Sequence, residues 1–355
     1  MDKKTSKIIS ALLYLALFGF VMLLEQVLPP THIALTVLKK GCIYALVAVS
    51  MNLLNGFTGL FSLGQAGFML IGAYVYGILT IPVDARGSVY QYFDGGIVQF
   101  SVPVLVGILA AGVIAAVFAW LIGLPVLRLK SDYLAIATLG FAEIIRAVFQ
   151  WDKLGPLTNG SNLLRKFPTF TSIAFPFLVC SACIGIIVLI INSSYGRAFR
   201  AIRDDEIAAE AMGINLAKHK RMSFCISSFF AGVGGALLAM YQTSVQAATF
   251  KSAMTYEILL IVVIGGLGSV TGSCLASFLF IACSEWWLRF LDAETYIGDF
   301  KVPLLRSGFR KVVFSIIIMV IVLFYRKGIM GDREFSVEGL CNFFKKRFGK
   351  KKEAK

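Results

Sequence analysis

The stretch that decides the fold class is a long apolar run in the first half of the chain, Val98-Gln-Phe-Ser-Val-Pro-Val-Leu-Val-Gly-Ile-Leu-Ala-Ala-Gly-Val-Ile-Ala-Ala-Val-Phe-Ala-Trp-Leu-Ile-Gly-Leu124. It has no charged residue and is longer than the roughly 20 residues that a helix needs to cross a bilayer core. Of the 355 residues, 58% are hydrophobic and 15% are charged, against about 25% charged in soluble domains. The mean hydropathy is +0.80. These values exclude an ordinary cytosolic enzyme, a disordered chain and a secreted disulfide scaffold, and they predict a polytopic membrane protein.

Nine further runs have the composition of membrane spans, although some are short. Together they predict an all-α integral membrane protein, a polytopic helical bundle of about ten spans (8–10). The candidate spans are Ile8–Leu28, Leu35–Leu54, Phe57–Thr80, Val98–Leu124, Tyr133–Gln150, Ile173–Ile191, Met222–Tyr241, Glu257–Leu267, Val270–Leu288 and Phe309–Tyr325.

The placement of basic residues predicts the orientation. Cytoplasmic loops carry an excess of Lys and Arg, and the net charge of +14 concentrates in the segments that lie inside if the N-terminus is cytoplasmic. We therefore expect both termini in the cytoplasm, a transmembrane permease domain over 1–330 with a cytoplasmic loop at about 193–221, and a basic cytoplasmic tail over 331–355. The tail either contacts anionic membrane lipid or is a solvated segment. Because the charges flank apolar spans, nucleic acid is not an expected partner.

Two glycine-rich junctions, Asn55–Gly67 and Gly265–Gly272, interrupt the apolar pattern. Irregular backbone at membrane depth persists only where protein or a water-filled cavity satisfies its polar groups. Broken segments in both halves of a transporter indicate inverted repeats and a transport path. The junctions therefore predict broken or re-entrant segments; close helix packing without a role in a pore is the alternative.

The segment 195–215 is rich in Ala, Glu, Arg and Ile and predicts a short cytoplasmic helix. Asp204 or Asp205 can cap its N-terminus, and Gly213 is placed to end it. One face of this helix is apolar and either docks into a groove of another protein or lies on the bilayer surface. The residues of that face are Ile207, Ala211 and Ile214.

The sequence predicts no catalytic residue, no metal site and no cofactor for this chain. It contains neither a Gly-x-x-x-x-Gly-Lys-Ser/Thr phosphate loop nor a catalytic triad pattern, so an ATPase that drives transport is a separate chain. Glu143 and Arg146 are three residues apart within one span and are expected to pair, with either a structural or a functional role. An ion-coupled secondary carrier is disfavoured, because such carriers use unpaired carboxylates deep in several spans.

Four motifs, in consistent order, resemble those of a known family. They are Gly59–Tyr74, Leu124–Arg146, Gly196–Asn215 and Ile264–Gly272, and the resemblance covers roughly residues 28–330. The chain resembles the permease subunits of branched-chain amino acid type ABC transporters. It is most similar to the second of the two paired permeases of the high-affinity leucine/isoleucine/valine system.

The resemblance implies an importer in a bacterial plasma (inner) membrane. Its partners would be a sister permease subunit in a heterodimer, two cytoplasmic subunits that bind ATP and Mg, and an extracytoplasmic solute-binding protein. The expected cargo is leucine, isoleucine and valine; urea or short amides, or simple sugars or nucleosides, are the alternatives.

The resemblance also implies roles for individual residues. The ATPase-coupling residues would be Arg203, Asp204, Glu206, Ala209, Glu210 and Gly213. Together with the glycine-rich junctions, it places the translocation path near Asn55, Gly59, Ser62, Gly64, Gln65, Gly67, Gly265, Gly266 and Gly268.

Overall fold

The structure is a computed structural model. It describes residues 3–29, 32–93, 95–129 and 131–288, then 296–297, 300–301 and short pieces between 312 and 334. The candidate span Phe309–Tyr325 falls largely outside the described residues, as does the tail 331–355 apart from Gly331 and Glu334. The described helices are α1 (Lys3–Val27), α2 (Ile33–Asn52), α3 (Gln65–Thr80), α4 (Val83–Val89), α5 (Val104–Val126), α6 (Ser131–Phe149), α7 (Gly155–Thr158), α8 (Ala174–Asn192), α9 (Ser194–Asp204), α10 (Glu206–Ala211), α11 (Leu216–Gln242), α12 (Ser252–Gly265) and α13 (Val270–Ala282).

Several of these helices can cross a membrane. In the described part of the chain, five are long and apolar enough, and the pair Tyr133–Phe149 and Asp152–Thr158, bent by 63°, makes a sixth candidate. The predicted all-α class is confirmed, whereas the count of about ten spans and the inverted repeats stay predictions. The five spans are Ile33–Phe57, Val104–Val126, Ala174–Asn192, Leu216–Gln242 and Val270–Trp287. Three shorter apolar helices are Leu15–Val27, Gln65–Thr80 and Ser252–Gly265.

The predicted span Phe57–Thr80 is not one continuous helix. A π-helical turn, Leu53–Phe57, follows α2, and α3 starts only at Gln65. Between them the backbone is irregular, and Gly59 has a φ of +74°. That left-handed conformation is unfavourable for residues with a Cβ and ends a helix. The glycines that give the stretch its small-residue character are therefore also the reason that it breaks.

Helix α11 lies at the centre of the bundle, packed against α5, α3 and α2. Its contact with α3 is backbone to backbone, since a Cβ on Gly72 would lie 2.0 Å from the carbonyl oxygen of Gly232. Small residues permit such close approach where apolar lipid tails give little hydrophobic drive for helix association. In contrast, Leu109 of α5 and Leu189 of α8 are exposed at the bundle surface.

Short elements collect at the two ends of the bundle. Helices α4 and α7 and an antiparallel two-stranded sheet, β1 (Leu164–Arg165) with β2 (Ser244–Val245), lie at one end. Helices α9 and α10 lie at the other. Helix α5 connects the ends, because the amide of Val102, just before α5, donates to Leu79 of α3 (3.0 Å), whereas Leu127, just after α5, shares a cavity with Glu206 of α10. We call the end with the two-stranded sheet the sheet end, and the end where the chain bends between α9 and α10 the elbow end.

A second short pair of strands, β3 (Tyr296–Ile297) and β4 (Phe300–Lys301), follows α13 in the chain.

Carboxylates from other elements cap helices whose first amides lack intrahelical partners. Glu25 of α1 accepts a hydrogen bond from the amide of Ile173 at the start of α8 (2.8 Å). Glu143 of α6 accepts one from the amide of Ser252 at the start of α12 (3.1 Å). A carboxylate is a favourable partner there because it satisfies orphan N–H groups and opposes the positive end of the helix dipole.

Candidate functional site

The bend between α9 and α10, which we call the elbow, is built around Asp205. Its backbone is extended (φ −160°, ψ 113°), and its Oδ1 accepts hydrogen bonds from the amides of Ile207 (2.8 Å) and Ala208 (3.1 Å). Of the two aspartates that can cap α10 by sequence, Asp205 makes the cap. The sequence predicts one short helix here, but the structure has two, because the extended residue 205 interrupts the helical backbone.

Helix α10 ends where the sequence places its stop. Gly213 has a φ of +82°. The amide of Gly213 donates to Glu210 (2.9 Å) and that of Ile214 to Ala209 (3.1 Å). A left-handed glycine with these bonds is a common helix C-terminus. A Cβ at Gly213 would meet open space, so the backbone conformation alone requires the glycine.

The elbow presents apolar side chains on its outer surface. Ile207 and Met212 are 83% and 84% exposed, whereas Ala209 is buried against the protein. Glu206 is held in place by an ion pair with Lys220 of α11 (2.6 Å). Large exposed apolar groups on a braced helix are typical of a surface that docks another protein.

Arg203 connects the elbow to the first helix break. Its Nη1 donates to the carbonyl oxygen of Gly56 (3.1 Å), and its Nε donates to Asp204 (3.1 Å). A Cβ on Gly59 would lie 2.9 Å from Cγ of Arg203, so the irregular segment 58–64 passes directly against α9. The last turn of α9 therefore rests on the junction that follows α2.

The two glycine-rich junctions meet at Asn52, the last residue of α2, which is fully buried. Its Nδ2 donates to the carbonyls of Ser269 (2.9 Å) and Gly266 (3.3 Å) and to the hydroxyl of Ser273 (2.8 Å). Its Oδ1 accepts from the amide of Gly268 (2.9 Å). Sequence reasoning missed Asn52; the signal was a polar residue at the end of an apolar span, three positions before the junction.

Glycines bring the backbones of the two junctions into contact. A Cβ on Gly56 would lie 2.5 Å from the amide nitrogen of Gly268. A Cβ on Gly265 would lie 2.6 Å from the carbonyl carbon of Gly272. The end of α12 therefore packs directly against the start of α13. Although Asn52 and Gly266 are 214 positions apart in the sequence, the structure joins the two junctions into one cluster.

The other predicted path residues of the first junction are tied into the protein. Asn55 and Ser62 exchange hydrogen bonds across the irregular loop (3.3 and 3.2 Å). Gln65 donates to the hydroxyl of Ser50 in α2 (2.7 Å). These bonds satisfy irregular backbone and polar side chains in an apolar interior.

Gly64 and Gly67 face α6. A Cβ on Gly64 would lie 3.2 Å from the carbonyl oxygen of Thr138, and one on Gly67 would lie 2.9 Å from Cα of Ala142. Both glycines therefore allow the start of α3 to approach α6 closely. Of the nine predicted path residues, Gly59 and Gly268 each line a cavity at the elbow end.

These two cavities flank the elbow. The larger, about 470 Å³, lies between α9 and the start of α13, and its lining includes Arg200, Arg203, Thr271 and Glu334. The smaller, about 280 Å³, is bounded by Gly59 and by the charged residues Arg128, Glu206 and Lys220. Both cavities have charged side chains in their walls, and together they separate parts of α9 and α10 from the rest of the bundle.

Glu143 and Arg146 form the expected pair on α6, with 2.6 Å between Oε2 and Nη2. Glu143 also accepts hydrogen bonds from the amide and hydroxyl of Ser252 (3.1 and 3.0 Å). The pair thus fastens α6 to the start of α12. Its geometry is that of a helix-to-helix link, which favours the structural interpretation.

The sheet end contains a polar cleft of about 450 Å³ whose lining includes Ser88, Arg165 and Lys166. Lys166 donates to the hydroxyl of Ser88 (2.7 Å). Tyr90 donates to the carbonyl of Leu157 (3.0 Å). Burial raises the pKa of Tyr90 to about 12.

Comparison with known proteins places the chain in a family. Residues 33–325 match the family described as "Branched-chain amino acid transport system / permease component". The chain is 32% identical over 277 residues to the high-affinity branched-chain amino acid transport system permease protein LivM of Escherichia coli, covering 68% of this chain and 61% of that protein. The match to LivM thus spans less than two thirds of that relative's length.

More distant relatives are covered more completely. Identity is 22% over 318 residues to the probable branched-chain amino acid transport permease protein LivM of Methanocaldococcus jannaschii, with 82% of this chain and 91% of that protein aligned. It is also 22% over 312 residues to LivH of Escherichia coli, with 83% and 93% aligned. No solved structure gives a significant match. Because the family match extends over most of the chain, the protein belongs to the family of branched-chain amino acid transport system permease components.

Proposed function

We propose that this multi-pass membrane protein is the transmembrane permease subunit of an ATP-driven importer for leucine, isoleucine and valine. Family membership supports the transport class, and the names of the LivM relatives support the cargo. An extracytoplasmic binding protein delivers the amino acid, and separate ATPase subunits, which hold ATP and Mg, supply the energy.

The observation that carries the coupling part of the proposal is the contact between Arg203 at the elbow and Gly56 at the helix break (3.1 Å). A partner protein that displaces the exposed side chains of Ile207 and Met212 also displaces α9, because α9 and α10 are joined at the elbow. Helix α9 in turn lies directly on the junction cluster. Small movements at a docking helix are passed on as rigid-body rocking of packed helices. In this scheme Asp204, Glu206, Ala209, Glu210 and Gly213 shape the coupling surface, and the glycine-rich junctions lie beside the path.

The finer architecture is part of the proposal. The elbow end faces the cytoplasm of a bacterial cell, and both termini lie on that side, as the distribution of basic residues indicates. The shorter apolar helices and the segment Phe309–Tyr325 complete a bundle of about ten spans (8–10) built from inverted repeats. The two broken pairs that meet at Asn52, α2 with α3 and α12 with α13, support this arrangement.

The proposed complex contains a sister permease, in keeping with the paired LivM and LivH relatives, two ATP-binding subunits and a solute-binding protein. The exposed apolar faces of α5 and α8 are available to lipid or to the sister subunit. The polar cleft at the sheet end lies where the binding protein would approach.

Uptake of labelled leucine tests this function. We compare cells with and without the gene at submicromolar leucine, each challenged with excess valine or excess urea. Deletion should abolish saturable uptake, with valine but not urea competing. A complemented strain that carries the gene on a plasmid is the control and should recover uptake.

Two outcomes would contradict the cargo assignment. Competition by urea would show that the importer also accepts small amides and is not specific for branched-chain amino acids. Uptake that is equal in both strains after all other leucine transporters are deleted would show that leucine is not the cargo, and labelled nucleosides and sugars would then be tested in the same strains.

A further inference from the structure

The second helix break, between α12 and α13, is held by residues from the far end of the described chain. The turn at residues 328–331 and the side chain of Glu334 lie against it. We call the turn 328–331 together with Glu334 the tail clasp. Family membership and the coupling elbow do not account for this contact.

The turn of the clasp caps the end of α12. The amide of Ile329 donates to the carbonyl of Ile264 (2.8 Å), and the amide of Met330 donates to that of Gly265 (3.3 Å). The last carbonyls of a helix have no partner within the helix. The backbone of the turn 328–331 therefore satisfies orphan acceptors at the break.

Glu334 caps the start of α13. Its Oε1 accepts from the amide of Val270 (2.6 Å), and its Oε2 accepts from the amide and the hydroxyl of Thr271 (3.1 and 2.7 Å). Charge-assisted bonds from a carboxylate to helix N-terminal amides are among the stronger ones in proteins. The turn 328–331 and Glu334 thus satisfy the two sides of the same break.

The glycines of the break fit the clasp. Gly266 has a φ of +113°, and a Cβ there would lie 2.7 Å from the carbonyl oxygen of Gly331. Gly328 has a φ of +72°, and a Cβ on it would lie 2.6 Å from Cα of Gly266. The backbone of the break and the backbone of the turn 328–331 lie too close together for either to carry a side chain at these positions. The glycines therefore allow the clasp to pack directly against the break.

The clasp also faces the elbow. Glu334 and Thr271 line the same cavity of about 470 Å³ as Arg200 and Arg203 of α9. On the other side of the break, Asn52 holds Gly268 and Ser269. The break therefore lies between a fixed anchor in α2 and the clasp.

We propose that the tail clasp is a positioning element that sets the conformation of the α12–α13 break, so that movement of α9 is transmitted to the path. Glu334 is its key positioning residue. The inference rests on the proposed transport function, and it adds a role for a segment beyond the last candidate span.

The test uses the complete transporter, with its sister permease, ATPases and binding protein, in proteoliposomes. Glu334→Ala removes both carboxylate oxygens, and Glu334→Gln keeps the shape but removes the charge. We expect amide hydrogen exchange at Val270 and Thr271 to become about tenfold faster in the alanine variant. We also expect more ATP to be hydrolysed per leucine transported.

Glu25→Ala is the matched control, because Glu25 caps α8 in the same manner away from the break. It should speed exchange at Ile173 and leave the ratio of ATP to leucine unchanged. A change in that ratio for Glu334 but not for Glu25 separates positioning of the break from loss of a helix cap.

Three results would overturn the proposal. Unchanged exchange at Val270 in both Glu334 variants would show that the clasp does not hold α13. Faster exchange with an unchanged ratio would show that it has no role in coupling, as would an equal rise of the ratio in Glu25→Ala. If the alanine variant does not assemble, the glutamine variant is judged by the same criteria. Failure of the transport function itself would differ, since the unmodified complex would then take up no leucine.

Discussion

At the scale of single residues, polar groups in the apolar bundle act as ties between distant segments. Asn52 reaches the second junction, Arg203 reaches the first, and Lys40 pairs with Glu285 (2.6 Å). The groups that Asn52 joins are buried, where unpaired polar groups are costly, whereas the Arg203 and Lys40 contacts are partly exposed. The charges within predicted spans are therefore largely explained by structural contacts, which weakens the case for an ion-coupled carrier.

Substitution of Asn52 tests this interpretation. Asn52→Ala leaves the half-buried amide of Gly268 without its acceptor and removes the donor to the carbonyl of Ser269 and the hydroxyl of Ser273, at a cost of about 1–3 kcal/mol for an unsatisfied group. We expect the midpoint of thermal unfolding of the purified protein to fall by several degrees. Asn192→Ala is the control, since Asn192 is exposed and bonds to Val188 of its own helix. Equal midpoints for the two variants would refute the role of Asn52.

At the scale of elements, the elbow depends on two backbone features. Asp205 turns the chain out of α9 and starts α10, and Gly213 in a left-handed conformation ends it. Sequence reasoning identified the capping candidates and the stop because both are local signals. It did not identify the preceding helix α9 as a separate element or its contact with Gly56, because these depend on packing.

Arg203→Glu tests the transmission from the elbow. A carboxylate in place of the guanidinium repels both the carbonyl of Gly56 and Asp204. The hydrogen bond that connects α9 to the first helix break is therefore lost. We expect leucine uptake to fall by about tenfold, within the usual range of coupling energies, while ATP hydrolysis by the assembled complex continues. Arg197→Glu, at an exposed position of the same helix, is the control and should retain uptake. Normal uptake in the Arg203 variant would remove this residue from the coupling scheme.

Gly213 provides an independent test of the elbow. Proline requires a φ near −65°, which is incompatible with +82°, so Gly213→Pro should distort the end of α10 and uncouple ATP hydrolysis from uptake. Gly213→Asn should be tolerated, because asparagine adopts the left-handed region more readily than other residues. If both variants transport alike, the shape of α10 does not matter for coupling.

At the scale of the whole molecule, the bundle has two distinct ends, and the proposal places the elbow end in the cytoplasm. Ile207 is 83% exposed at that end, and Tyr92 is 78% exposed near the sheet end. Both positions are suitable for a topology measurement, because cysteines there would be reached only from their own side of the membrane.

We expect a membrane-impermeant maleimide to label Tyr92→Cys in intact cells and Ile207→Cys only after permeabilisation. The unmodified chain, whose described native cysteines are buried or half-buried, gives the background. The opposite pattern would invert the orientation, and with it the assignment of the elbow as the ATPase contact.

The sequence by itself determined the membrane class, most helix positions and the locations of the breaks, because apolar length, glycine content and charge placement are local and one-dimensional properties. Only the tertiary structure decided which distant groups meet. Gly268 and Asn52 are 216 positions apart, Arg203 and Gly56 are 147 apart, and Val270 and Glu334 are 64 apart. Such pairs follow from how the helices pack, since the polar groups of a broken helix take whichever partner the packed bundle brings within hydrogen-bond distance.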